Sequence, residues 1–130
     1  MSTSSESSTA KSAPAVGRWA EDTAAAFLES KGCRILSRNF RTRAGEIDLV
    51  AEEGETLVLV EVKYRSDEAF APAEEAWTAS KRKKVLKAGR WAAARWGRSR
   101  AVRFDLIVLV GPPDRAETRH YSNVIEGVDL

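Results

Sequence analysis

The sequence predicts a mixed α/β sandwich, a central sheet flanked by helices in the order αβββαβ. Three observations carry that prediction. Apolar residues recur at helical spacing over 18–31 and again over 79–96. Between them, Glu46–Ala51 alternates charged and apolar, Thr56–Val62 is β-branched and aliphatic, and Glu52–Glu55 interrupts the two as a hairpin turn would. A strong strand, Ala101–Val110, follows the second helix, and a right-handed helical crossover would lay it parallel to the third strand. With 130 residues the chain is long enough for one domain with a real core and too short for two. The expected limits are a tail over 1–16, one domain over 17–125 and a loose end over 126–130.

Taken in order, Met1–Val16 is rich in Ser, Thr and Ala without periodic apolar residues, and disorder is expected there. It lacks the apolar core of a secretory signal. Over Arg18–Lys31, Trp19, Thr23 and Phe27, with Ala20, Ala24 and Leu28 beside them, form one apolar stripe, and Gly32 is a natural stop. Glu21 and Asp22 in the first turn suit the helix dipole. Cys33–Arg43 reads as the first strand, anchored by Ile35, Leu36 and Phe40. Its arginines, Arg34, Arg38, Arg41 and Arg43, suit phosphate and equally well solubilise an edge strand.

Leu57–Val60 is a continuous apolar run, as expected of a strand buried on both faces. Tyr64–Ala76, with Pro72, is read as a connection. Thr78 is the N-cap of the second helix and Gly97 its stop, with Val85, Ala88, Gly89, Ala92 and Trp96 on the core side. Lys81, Arg82, Lys83 and Lys84 crowd its first turns, where cations oppose the helix dipole and bound phosphate would offset the cost. Trp77, Trp91 and Trp96 read first as core and second as platforms for bases. On the last strong strand Phe104, Leu106, Val108 and Val110 face one way, while Arg103 and Asp105 face the other as a structural ion pair. Arg119–Val124 adds an edge strand.

Composition narrows the chemistry. Cys33 is the only cysteine and His120 the only histidine, which excludes a His/Cys zinc site and leaves a Ser-His-Asp triad only if it uses His120. Carboxylate and water remain for metal chemistry. No apolar run reaches the 18 residues of a membrane span, and a soluble, cytoplasmic protein without a membrane partner is expected. The net charge is only +2 but is segregated. Five basic residues and no acidic one lie in Lys31–Arg43, ten and none in Lys81–Arg103, and carboxylates gather in Glu46–Glu75. Basic flanks around an acidic centre suit an anionic polymer held over a metal site.

The hairpin holds the candidate site. A turn centred between Gly54 and Glu55 puts Asp48 opposite Glu61 and Glu46 opposite Lys63, with Cβ atoms about 4.5–5.5 Å apart. Glu61, Lys63 and Arg65 share a face by alternation. Two carboxylates side by side repel, and a charged pair ending a buried strand is costly without partners. A divalent cation removes the conflict, and Mg²⁺ is usually held by one or two carboxylates with water and substrate phosphates. The plain alternative is a solvated strand face.

Asp48, twelve residues, then Glu61-Val62-Lys63 resembles the signature of the restriction-endonuclease-like, PD-(D/E)XK, nucleases. GRWAEDTAAAFLESKGCRIL, RNFRTRAGEIDLVA, LVLVEVKYR, the step from Thr78 to Lys81 and VRFDLIVL together resemble the YraN-like family, grouped with nucleases of the Holliday-junction-resolvase type. The resemblance spans Gly17 to Val110. Ala20 and Ala71 stand where that family usually has glycine, and Ile47 where the superfamily name has proline. The resemblance implies a restriction-endonuclease-like fold and a Mg²⁺-dependent DNA endonuclease, with Mn²⁺ able to substitute, branched or structured DNA as a candidate substrate and a homodimer as a candidate state. Asp48 and Glu61, with the Val62 carbonyl, would hold the metal and Glu46 would stand in reserve. Lys63 would orient water or meet transition-state charge, and Glu21 would approach the metal from the first helix. Arg41, Arg43, Arg65, Lys81 and Lys84 would hold the nucleic-acid backbone. The alternative is a nucleic-acid-binding module or adaptor that keeps the fold and does not cut.

Overall fold

A computed structural model describes residues 13–97 and 99–125. Helix α1 spans Ala13–Ser30. It starts ahead of the expected Arg18, so 13–16 are helical; the rest of the expected tail and the expected loose end at 126–130 lie outside the described residues. Strands β1 (Arg34–Arg41), β2 (Glu46–Glu53) and β3 (Thr56–Arg65) follow, then helix α2 (Ala79–Trp96), β4 (Ala101–Val110) and β5 (Glu117–Tyr121). The strands form one mixed sheet in the order β1-β2-β3-β4-β5. Only β3 and β4 are parallel, joined by the α2 crossover.

The two helices cover opposite faces, and strand alternation sorts the core between them. Ala20, Ala24 and Leu28 of α1 pack with Val58, Val60, Ile107 and Leu109. Val85, Ala88 and Ala92 of α2 pack with Leu57, Leu59 and Phe104. The run Leu57–Val60 is thus apolar without alternation because each face meets a helix. Gly89 lets α2 come this close, since a Cβ there would lie 2.6 Å from the Phe104 ring.

Local chemistry sets the ends of the elements. Gly54, at φ +59°, takes the first central position of a two-residue hairpin loop, and Glu53 pairs with Thr56 across it. The Thr78 side chain accepts from the Lys81 N–H at 3.1 Å, and the Gly97 N–H closes on the Ala93 carbonyl at 2.7 Å. A short 3₁₀ turn, Ala73–Ala76, interrupts the expected connection. Strand β5 comes earlier than the expected Arg119–Val124. A second 3₁₀ turn at Pro113–Arg115 returns the chain at once, so Glu117 pairs with Val110. Val124 still ties to the Phe104 carbonyl, at 2.7 Å, but outside the ladder. Among the described residues no helix is long and apolar enough to cross a membrane.

Candidate acidic site on the central hairpin

The β2–β3 ladder runs from Glu53↔Thr56 to Leu49↔Val60, the register that the Gly54–Glu55 turn dictates. One step further, Asp48 and Glu61 come abreast, but the ladder has stopped. The Asp48 carboxylate takes the place of a strand carbonyl and accepts the Val62 N–H at 2.8 Å. Alternation also breaks here. Ile47 and Val50 both join the α2-side core, while Leu49 joins the α1-side core. Asp48 therefore comes to the α1 side of the sheet, where it lines an open groove of about 530 Å³ with Gly17, Glu21, Val62, Lys63 and Arg65.

Asn39 accounts for part of that irregularity. Arg38 pairs with Leu49 and Phe40 with Ile47, so Asn39 lies abreast of Asp48 on β1. Asn39 has φ +52°, a left-handed conformation that asparagine tolerates better than most residues. Its amide donates to Glu21 Oε1 at 2.9 Å. Strained backbone of this kind clusters at functional sites. A polar residue at an expected edge strand carried no such signal in the sequence, and Asn39 was not anticipated.

Glu61 points to the other face. It is buried, and Lys81 Nζ meets its Oε2 at 2.9 Å. The Thr78 cap holds the backbone of Lys81 while its ammonium reaches inward. Burial first, then the Glu61 charge, pushes the Asp48 carboxyl up to about 7; the Val62 N–H opposes this, and Glu21 and Glu46 add to it. The hydrogen bond to Glu61 raises the Lys81 ammonium, helped by the charges of Asp48 and Glu46. Glu61, Asp48 and Glu46 thus all act on Lys81, while Glu21 acts on Asp48 from α1.

The remaining site residues fall as follows. Lys63 lies between the faces, lining both the Asp48 groove and the space beside Glu61 and Lys81. Glu46 is 3.7 Å from Arg41. Arg43 and Lys84 are exposed, and their segments adjoin: a Cβ on Gly45 would lie 3.3 Å from the Lys84 carbonyl. Arg65 is exposed at the groove mouth. Lys81, expected on phosphate, is instead the partner of Glu61. Among the described residues no three His, Cys, Asp or Glu side chains gather as a metal cluster. Asp48 and Glu61 feel each other's charge, Asp48 from the α1-side groove and Glu61 from its contact with Lys81.

A second buried carboxylate lies on β4. Asp105 accepts from Arg103 Nε at 2.9 Å and Nη2 at 3.1 Å, and from the Asn123 N–H at 3.0 Å; His120 Nε2 lies 2.8 Å away. The expected Arg103–Asp105 ion pair is present, and Glu53 extends it at 2.9 Å. His120 is taken up in this cluster, edge-on to Phe27. Of the three tryptophans weighed as base platforms, Trp77 and Trp96 pack against the core and Trp91 is exposed.

The model of the uncharacterised protein family UPF0102 matches residues 20–109, from the first buried turn of α1 to the end of β4. The chain belongs to this family. It is 38% identical over 112 residues to a UPF0102 protein of Syntrophotalea carbinolica, covering 85% of this chain and 91% of the relative. A relative in Anaeromyxobacter dehalogenans is 40% identical over 114 residues, covering 87% and 85%. One in Frankia casuarinae is 43% identical over 99 residues, covering 75% and 84%. Membership agrees with the YraN-like resemblance of the sequence blocks. The matched span includes the hairpin, Asn39, Lys81 and Asp105.

Proposed function

We propose that this protein is a Mg²⁺-dependent endonuclease acting on the DNA backbone in the cytoplasm, with a restriction-endonuclease-like arrangement of its sheet and helices. Branched or structured DNA is the substrate class and a two-fold homodimer the working state. One observation carries the reading: the half-buried Asp48 sits next to the buried Glu61 and is held near pKa 7 by desolvation and by that neighbour's charge. A fold selected for stability alone has little use for such a pair.

Asp48 would hold the cation, with Glu61 turning from Lys81 to join it. Bound there, it would polarise the phosphodiester and lower the pKa of a water. The Val62 N–H fixes the Asp48 carboxylate, leaving rotation little freedom. Lys63, reaching both sides of the site, meets charge on the phosphate or orients the attacking water. Arg41, Arg43, Arg65 and Lys84 hold the backbone without reading sequence.

Duplex, single-stranded, flap and four-way-junction DNA incubated with Mg²⁺ or Mn²⁺ test this. The expected result is cleavage by wild type and none by Asp48→Asn. A second reading has its own support: Lys81 already neutralises Glu61 at 2.9 Å, so the site is balanced in part without metal. On that reading the protein binds nucleic acid and does not cut. Binding without cleavage across the whole panel would favour it.

A further inference from the structure

The outer face of α2 gathers unpaired cations on one helix. Several arginines elsewhere meet carboxylates: Arg34 and Arg100 meet Glu52, Arg38 meets Asp22, and Arg119 meets Glu68 and Glu74. Among the described residues, Arg82, Lys83, Lys84, Lys87 and Arg90 have no carboxylate within ion-pair distance. Helix α2 contains no acidic residue that might pair with them at the usual i, i+4 spacing. The one cation of its first turns that is neutralised, Lys81, turns inward to Glu61.

Lys83, Lys87 and Trp91 are spaced four apart, and Arg90 follows Lys83 by seven, so the four share one stripe. Trp91 is 52% exposed, whereas Trp19, Trp77 and Trp96 pack against the core. An indole set among unpaired cations matches a single strand, whose phosphates seek the cations and whose unpaired bases offer a π-face. In a duplex those faces are hidden in the stack. The stripe covers roughly 12 Å of helix, at about 1.5 Å per residue, and begins two residues after Lys81.

We propose that this stripe is a binding track for single-stranded nucleic acid, with Lys83, Lys87 and Arg90 on phosphates and Trp91 stacked on a base. The proposal deepens the nucleic-acid reading above: the substrate class becomes DNA with an unpaired segment next to the acidic site. An anionic membrane surface would satisfy the cations and accepts tryptophan at its interface, so vesicles are the competing occupant in the test.

The test measures affinity of the full chain for a fluorescent single-stranded oligonucleotide, a matched duplex and vesicles of anionic phospholipid, across a salt series without divalent metal. Trp91→Ala should lose roughly 5- to 100-fold in single-strand affinity and leave duplex affinity unchanged; Trp91→Phe should retain most of it. Lys83→Gln with Lys87→Gln and Arg90→Gln should flatten the single-strand log–log salt slope by about 2 units. Circular dichroism and melting of each variant separate misfolding from lost contact. Equal single-strand affinity in wild type and Trp91→Ala overturns the proposal, as does vesicle binding tighter than oligonucleotide binding. That failure leaves Asp48-dependent cleavage standing, whereas wild type binding neither nucleic acid overturns both readings.

Discussion

Asp105 and Asp48 are carboxylates of the central sheet on strands either side of β3, Asp105 buried and Asp48 half-buried, and they are treated in opposite ways. Asp105 has donors on every side: two from Arg103, one from the Asn123 N–H, and His120 beside it. Asp48 has one, the Val62 N–H, and three carboxylates whose charges push against its own. The first arrangement repays the burial of charge with hydrogen bonds. The second leaves the cost standing, and something that binds there would relieve it. The same side chain thus marks a structural joint on β4 and a site on β2.

The largest expected effect is on the joint. Asp105→Ala leaves Arg103 and His120 facing a buried gap, and breaking a buried pair by removing one partner typically costs about 3–5 kcal/mol. Urea unfolding should show a loss of that size, and a loss under about 1 kcal/mol would mean the cluster is incidental.

Asp48 should behave in the opposite sense. Its pKa in the folded protein, about 7, lies above the unfolded value near 3.8. The folded state binds this proton more tightly, so its contribution to stability is full below about pH 4 and is lost as pH rises through 7. A shift of about three units sets a ceiling of about 4 kcal/mol on the loss. Asp48→Asn keeps an oxygen for the Val62 N–H and cannot ionise. Without metal it should match wild type near pH 4 and be the more stable protein at pH 8. Unfolding curves at both pH values check this; a mutant less stable at pH 8 would contradict the comparison.

Metal turns the comparison into a binding measurement. Mn²⁺ titrated at pH 8 should raise the melting temperature of wild type and bind it measurably, and Asp48→Asn should lose most of both effects. Asp105→Asn, where it folds, should keep them. Equal Mn²⁺ affinity in wild type and Asp48→Asn would sink the metal assignment.

The smallest effect isolates the neighbour. Glu61→Gln removes the charge that ranks after burial in raising Asp48. The Asp48 carboxyl, followed by carbon-13 NMR, should titrate lower than in wild type while still above the ordinary carboxylate range, because burial persists. An unmoved titration would mean the two carboxylates do not share a field.

Much of this was legible in the residues because it depends on near neighbours. The Gly54–Glu55 turn sets which residues of β2 and β3 face each other as far as Leu49 and Val60, one step short of the expected Asp48–Glu61 pair. Thr78 and Gly97 bound α2 through hydrogen bonds within four residues. The apolar run Leu57–Val60 announces a strand covered on both faces, and β3 and β4 follow each other in parallel because a helix intervenes. Family membership agrees with blocks that are contiguous in the chain.

Other features required the packed layers. Nothing local pairs Lys81 with Glu61, twenty positions apart; that contact exists because α2 lies across β3 with its capped end over the end of the hydrogen-bonded ladder. Asn39 and Glu21 meet only once α1 is laid on the sheet. The break in alternation that brings Asp48 to the α1 groove arises where β1 and β2 depart from regular pairing, with Asn39 at positive φ. Asp105 gains its partners from β5 and the segment after it. Turn and cap chemistry acts over a few residues and is written in the sequence, whereas the charge state of a buried carboxylate depends on which side chains the packing of distant segments brings within a few ångströms.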